Sequence, residues 1–226
     1  MYELDRLIEI ARGQEEADLV LRGGRLVDVL AGEIYESDVA VAGGTVVGTG
    51  PGYRGRKEVD CSGRWIAPGF LDGHMHVESS LVTLSEFTRA VLPRGTVGVV
   101  LDPHEIANVH GVNGIRYILE SRRGLPLKAF VMVSSCVPAT HMETAGADLT
   151  ADVLEPLFRE DGVLGLAEMM NFPGVVSGDP SVLAKLQAAR DRGLTIDGHS
   201  PGLVGRDLNA YVAAGPGSDH ECTTLE

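Results

Sequence analysis

The chain has 226 residues, 44% of them hydrophobic, enough for a substantial core in one large domain or two unequal ones. Its 32 acidic against 19 basic residues give a formal net charge of −13, which disfavours nucleic acid and anionic membranes as partners, because both select Lys/Arg surfaces. Cys61, Cys136 and Cys222 form no C-x-x-C pair, the opening "MYELDRLIEIARGQEEA" has no apolar leader core, and no apolar run reaches membrane-spanning length, so a cytoplasmic protein is expected.

In chain order, Leu4, Leu7, Ile8 and Ala11 recur at helical spacing and predict a short amphipathic helix over 3–12. From Ala17 to about Asp60 come short β-rich runs, "DLVLRGGRLVDV", "EIYESDVAVAGGTVVGTG" and "KEVDCSGRWIAPG", broken by Gly-Gly and Gly-Pro turn signals. They predict a small antiparallel β unit. The helix and these runs together make a first domain over 1–67.

After that the order changes, and 68–226 forms a second domain. Strand-like runs at Phe70 to His74, Thr96 to Asp102, Lys128 to Ser134, Val163 to Glu168, Thr195 to His199 and Ser218 to His220 alternate with segments of helical pattern. Those segments are "TLSEFTRAVLPRG" with a Thr83-x-x-Glu86 capping box, "GVNGIRYILESRRG", "ADVLEPLFRE", "DPSVLAKLQAARDRG" and "GRDLNAYVAAG". Such alternation indicates βα units around a parallel sheet, an α/β fold.

Polar residues fall in register with the strands. His74 and His76 stand at i and i+2 and so share a strand face. Asp102 and His104 close the second run, Glu168 the fourth, His199 the fifth and His220 the sixth. In a TIM-type barrel those strand ends surround one site, and imidazole plus carboxylate is a donor set for divalent cations. The metal ligands are therefore His74, His76, Glu168, His199 and His220. Asp102, His104 and Glu105 form a second cluster that orients those ligands, binds a further metal or contacts substrate, and Ser134, Ser135 and Cys136 are placed to line the pocket. Other chemistry is excluded: His76-Val77-Glu78 matches the H-x-E of zinc nucleobase deaminases, but their P-C-x-x-C is absent, and no G-x-x-x-x-G-K-[ST] phosphate loop occurs.

"PGFLDGHMHVESS", "DPHEIANVHG", "SSCVPATHMETAG", "LGLAEMMNFPGV", "IDGHSPGLVGRDLNAYVAAG" and "SDHECTTLE" together resemble the bacterial adenine deaminases of the amidohydrolase superfamily. The resemblance implies a TIM-type (β/α)8 metal-dependent hydrolase barrel with a small β-sandwich-like domain. It also implies hydrolysis of adenine to hypoxanthine and ammonia, with Glu168, His199 and His220 as catalytic residues. Two divalent metals are expected, manganese or iron first and zinc also compatible, in a homodimer when the enzyme is complete. Many amidohydrolases bridge their metals with a carboxylated lysine, but Lys57, Lys128 and Lys185 stand elsewhere and Glu168 occupies that place. About six strands are counted where closure takes eight, so the chain reads as the front part of such an enzyme, without the aspartate that the superfamily implies on an eighth strand. Two alternatives stay open: an amidohydrolase acting on a cyclic amide or imidazolone, and a catalytically inactive metal-binding fragment.

Overall fold

The computed structural model describes residues 2–223. The chain divides into two compact units, Met1–Pro68 and Gly69–Glu226.

The first unit opens with helix α1 (Leu4–Ala11) and continues through strands β1 (Ala17–Asp28), β2 (Glu33–Ala42), β3 (Thr45–Thr49), β4 (Gly55–Asp60) and β5 (Trp65–Ile66). Gly43 and Gly44, at φ 58° and 80°, supply the two positive-φ positions that a tight turn between β2 and β3 requires. The sheet is mixed and not antiparallel throughout, which corrects the sequence expectation. β1 pairs antiparallel with β2, while β4 and β5 both lie parallel to β1, β4 along its first half and β5 along its second. One long strand can take two short parallel neighbours because its register shifts between Leu21 and Gly24, a bulge that alternation of side chains does not announce. Two small apolar clusters stabilise the unit, one around Ile10, Val20 and Ala40 and the other around Leu26, Val39 and Ile66.

In the second unit six parallel strands, β6 (Phe70–Met75), β7 (Thr96–Leu101), β8 (Lys128–Val133), β9 (Val163–Met169), β10 (Thr195–Gly198) and β11 (Ser218–Asp219), lie side by side in chain order. Helices α2 (Leu84–Val91), α3 (His104–His110), α4 (Val112–Ser121), α5 (Ala151–Leu154), α6 (Phe172–Ser177), α7 (Pro180–Arg190) and α8 (Gly205–Ala214) fill the crossovers. The main core lies between these strands and helices and includes Val99, Leu101, Ile115, Val131, Leu166, Leu186 and Ile196. Gly165 is obligatory in β9, since a Cβ there would collide with the Thr195 carbonyl of β10. The expected capping box is not made. Thr83 is the N-cap of α2, but its hydroxyl pairs with Ser85 Oγ at 2.9 Å while Glu86 turns to Arg89. Helices α3 and α6 were not anticipated as separate elements; both are short, and Asn171 caps α6 by accepting from the Gly174 amide at 2.9 Å.

β6 and β11 are the two edges of the sheet, yet His74 on β6 stacks on His220 just beyond β11 with ring centroids 3.7 Å apart. The C-terminal ends of opposite edge strands meet only if the sheet curls into an arc. This is the curvature of a barrel, and it gathers all the strand ends around one locus.

Candidate metal centre

Five of the seven histidines, His74, His76, His104, His199 and His220, converge at that locus around the carboxylate of Glu168. β9 delivers Glu168 from a fully paired interior strand, where its side chain is 3% exposed. Its two oxygens face different partners. Oε1 lies 3.0 Å from His104 Nδ1 and 3.6 Å from His76 Nε2, and Oε2 lies 2.8 Å from His199 Nδ1 and 3.1 Å from His220 Nε2.

The imidazoles are oriented from behind. His76 Nδ1 donates to the Asp102 carbonyl at 2.8 Å, which leaves the Nε2 lone pair turned inward, 3.0 Å from His74 Nε2. Asp102 is buried; it accepts from Ser134 Oγ at 2.8 Å and faces His104 Nδ1 at 3.0 Å. Tyr211 joins two strand ends: its hydroxyl donates to the Met169 carbonyl and accepts from the His199 amide, both at 2.9 Å.

These contacts set the charges. Burial pushes the Glu168 carboxyl up, but the hydrogen bond from His104 and the charges of His104, His199 and His74 outweigh it and hold the group at about 2. Burial works against a proton on His104, yet hydrogen bonds to Asp102, Cys136 and Glu168 raise it far above the ordinary imidazole range. His74 is raised too, Asp197 overcoming burial, and Asp197 is lowered in return by the His74 and Ser218 hydrogen bonds. Burial lifts the Cys136 thiol to about 11, so it is no thiolate at neutral pH.

Three overlapping donor groups fit a cation: His76, Asp102, His104 and Glu168; His74, Glu168 and His220; and His199, His220 and Glu221. Within each, the ligand atoms lie within 4.8 Å of one another. The fit rests on the chemistry of the donors: imidazole nitrogen and ionised oxygen with no thiolate, converging on a common volume, and an ionised carboxylate shared between the two sides. The groups cut across the expected division of His74 with His76 and of His199 with His220, since His74 also groups with His220.

Among the residues expected nearby, Asp102 and His104 join the cluster directly. Ser135 does not present its hydroxyl to it; Ser135 Oγ donates to the Glu168 carbonyl at 2.5 Å, and Lys185 Nζ donates to the Ser135 carbonyl at 2.8 Å. Cys136 is buried beside His104. Glu105 turns away and accepts from Ser79 Oγ at 2.7 Å. Asp197 and Glu221 were missed by the sequence reading. Asp197, on β10, precedes His199 by two residues, the same i, i+2 spacing that picked out His74 and His76. Glu221 follows His220 directly and lies 3.8 Å from His199 Nδ1.

The chain is 55% identical over 223 residues to an adenine deaminase of Cereibacter sphaeroides and 49% identical over 226 residues to one of Clostridium acetobutylicum. These alignments cover 99% and 100% of this chain but 39% and 40% of the relatives, so the chain spans about two fifths of their length. Among solved structures it is similar to the N-acyl-D-glutamate deacylase of Bordetella bronchiseptica, complexed with zinc and a phosphonate mimic of the tetrahedral intermediate. The TM-score is 0.62 at 18% identity, over 88% of this chain and 49% of that one. An atrazine chlorohydrolase of Arthrobacter aurescens, complexed with zinc, aligns with a TM-score of 0.55 at 17% identity, over 88% of this chain and 56% of that one. The profile of the Amidohydrolase family matches residues 65–226. With strand-end histidines around one carboxylate on a curled parallel sheet, and that match across most of its length, the chain belongs to the amidohydrolase family.

Proposed function

We propose that this chain supplies the cation-binding part of an adenine deaminase, which hydrolyses adenine to hypoxanthine and ammonia. The observation that carries the reading is identity of about half the residues, over essentially the whole chain, to curated adenine deaminases. The site supports it with chemistry. Adenine is neutral and its C6 is a weak electrophile, so the reaction needs an activated water and control of protons as the amine leaves.

Glu168, His74, His76, His199 and His220 would hold two divalent cations, with Asp102 and His104 beside them. When bound, such cations lower the pKa of water from 15.7 toward about 7. The mixed nitrogen and oxygen donors are compatible with manganese, iron or zinc alike, and it is the resemblance to adenine deaminases that favours manganese or iron. Glu168, with a carboxyl held at about 2, is ionised at neutral pH and accepts protons or cations; it is not an acid donor. His104 keeps a proton at Nδ1 between the Asp102 and Glu168 carboxylates, each 3.0 Å away, and so fixes the orientation of both. Glu168, His199 and His220 are the residues assigned to the reacting centre.

The complete protein is further proposed to be a cytoplasmic homodimer without nucleic-acid or membrane partners. No described helix is long and apolar enough to cross a membrane. The test is ammonia release by a protein carrying this chain, loaded with Mn²⁺ or Fe²⁺ and offered adenine, adenosine, cytosine and hydantoin. Adenine is expected to exceed the others by several orders of magnitude, because a site built to pair particular ring edges leaves buried groups unpaired with the wrong substrate. Equal turnover of adenosine, or preference for hydantoin, would reject the assignment.

A further inference from the structure

We infer that Asp197 is a positioning residue of the centre: its carboxylate holds His74 as the Nδ1–H tautomer, so that the His74 Nε2 lone pair faces the cation volume. Asp197 Oδ2 accepts from His74 Nδ1 at 2.8 Å and lies 3.5 Å from His220 Nδ1, a charge contact and not a hydrogen bond. The two rings stack at an interplanar angle of 17°, with their Nδ1 edges toward the same oxygen. Their other edges face inward: His74 Nε2 is 3.0 Å from His76 Nε2, and His220 Nε2 is 3.1 Å from Glu168 Oε2.

An ionised carboxylate accepts hydrogen bonds and donates none, so an imidazole meeting it through Nδ1 carries its proton there. In a neutral ring this leaves Nε2 as the free donor to a metal. The carboxylate is itself fixed. Its Oδ1 accepts from Ser218 Oγ at 2.7 Å and from the Gly198 amide at 2.9 Å, and the residue is 8% exposed. Asp197 belongs to none of the donor groups that fit a cation among the described residues, so it acts through the His74 imidazole. His74 and Asp197 come from β6 and β10, 123 residues apart, so the orientation of this imidazole is set across the curled sheet.

The inference rests on the cation-binding reading and is independent of the substrate. The test measures Mn²⁺ affinity by calorimetry for the chelator-stripped chain and for its Asp197→Asn and Asp148→Asn variants, with no substrate present. Asp197→Asn is expected to weaken binding by roughly ten- to a hundredfold. Asp148→Asn removes the same charge from an exposed loop position and is expected to stay within about twofold, because water and salt screen an exposed charge. Unchanged affinity in Asp197→Asn, or an equal loss in both variants, would overturn the inference. A second readout needs no variant: nitrogen-resolved NMR of the stripped protein above the imidazole titration should show the proton on Nδ1 of His74. A proton on Nε2 of that ring would overturn it equally. Neither measurement involves turnover, so failure to deaminate adenine would leave this inference standing, and its failure would leave the substrate reading standing.

Discussion

The two units of this molecule handle charge in opposite ways. In the first, Arg22 is an always-charged cation that meets Asp38 Oδ2 at 2.8 Å, Glu58 Oε1 at 2.5 Å and the Tyr53 carbonyl at 2.6 Å, with its side chain 30% exposed. In the second, the acidic partners Asp102, Glu168 and Asp197 are 1%, 2% and 8% exposed, and they face imidazoles whose charge depends on a proton. The first network is complete as it stands, at a surface where water shares the load. The second is a set of buried lone pairs aimed at a common volume, and a buried charge without a partner is costly. A cation, or protons in its place, is what balances it. One network therefore reads as structure and the other as a site.

The largest effect that tests this contrast comes from Glu168, the only described residue whose two carboxylate oxygens each face imidazoles. Glu168→Gln is expected to reduce Mn²⁺ affinity by more than the roughly 10–100-fold that loss of an outer partner costs, and to lower the metal content of the purified protein. His74→Ala should lower it as well. Full occupancy in both variants, measured by metal analysis, would show that the cluster is not a cation site.

Next in size is the pH dependence of stability once cations have been stripped. The Glu168 carboxyl falls from 4.5 to about 2 on folding, so its contribution is complete above 4.5 and is lost as pH falls through that window. His74 and His104 rise above 6.5 on folding, so their contributions are complete below 6.5 and are lost as pH rises through the folded values. The stripped protein should therefore be most stable between 4.5 and 6.5 and lose on the order of a few kcal/mol toward acid. Saturating Mn²⁺ should move the optimum upward, because metal requires neutral imidazole. Melting temperatures across pH, with chelator and with Mn²⁺, would read this; a profile indifferent to Mn²⁺ would contradict it.

What the sequence revealed and what it hid follow from the same geometry. That His74, His76, Glu168, His199 and His220 would stand together was legible because a strand end in a parallel α/β fold has a known destination, and each stands at or just past one. The βα order was legible because β7 to β10 are short apolar runs separated by turn chemistry. The role of Asp197 was hidden because its acceptor geometry exists only after the sheet has curled and brought β10 against β6, 123 residues earlier in the chain. The parallel pairing of β4 and β5 with β1 was hidden for a related reason: alternation says which face a strand buries, not which neighbour it joins. The failed capping box at Thr83 shows how a local pattern yields when a nearer hydroxyl and an i, i+3 arginine compete for its members.

A smaller effect is expected at Tyr211, which is buried and bridges the Met169 carbonyl to the His199 amide. Tyr211→Phe keeps the ring and removes the bridge, leaving a buried acceptor and a buried donor unpaired. The cost should be about 1–3 kcal/mol, read as a lower urea midpoint with an unchanged slope. Since the bridge ties the end of β9 to that of β10, cation affinity should fall as well, but by less than in Glu168→Gln.

The smallest effect is expected in the first unit, at Glu58. This residue accepts from Arg22 and from the Gly55 amide, and by count of contacts it looks as well connected as Glu168. Its setting differs: the Glu58 side chain is 41% exposed, and Arg22 keeps Asp38 and the Tyr53 carbonyl when Glu58 is neutralised. An exposed pair is screened by salt and replaced by water at little cost, and the amide oxygen of glutamine can still accept. Glu58→Gln should therefore leave Mn²⁺ affinity unchanged and shift the thermal midpoint only slightly, with the shift shrinking further as ionic strength rises. A large, salt-independent loss of stability would mean that the Arg22 network acts as a buried element, and a change in cation affinity would mean that the two networks are coupled. Either result would break the contrast between the units at its simpler end.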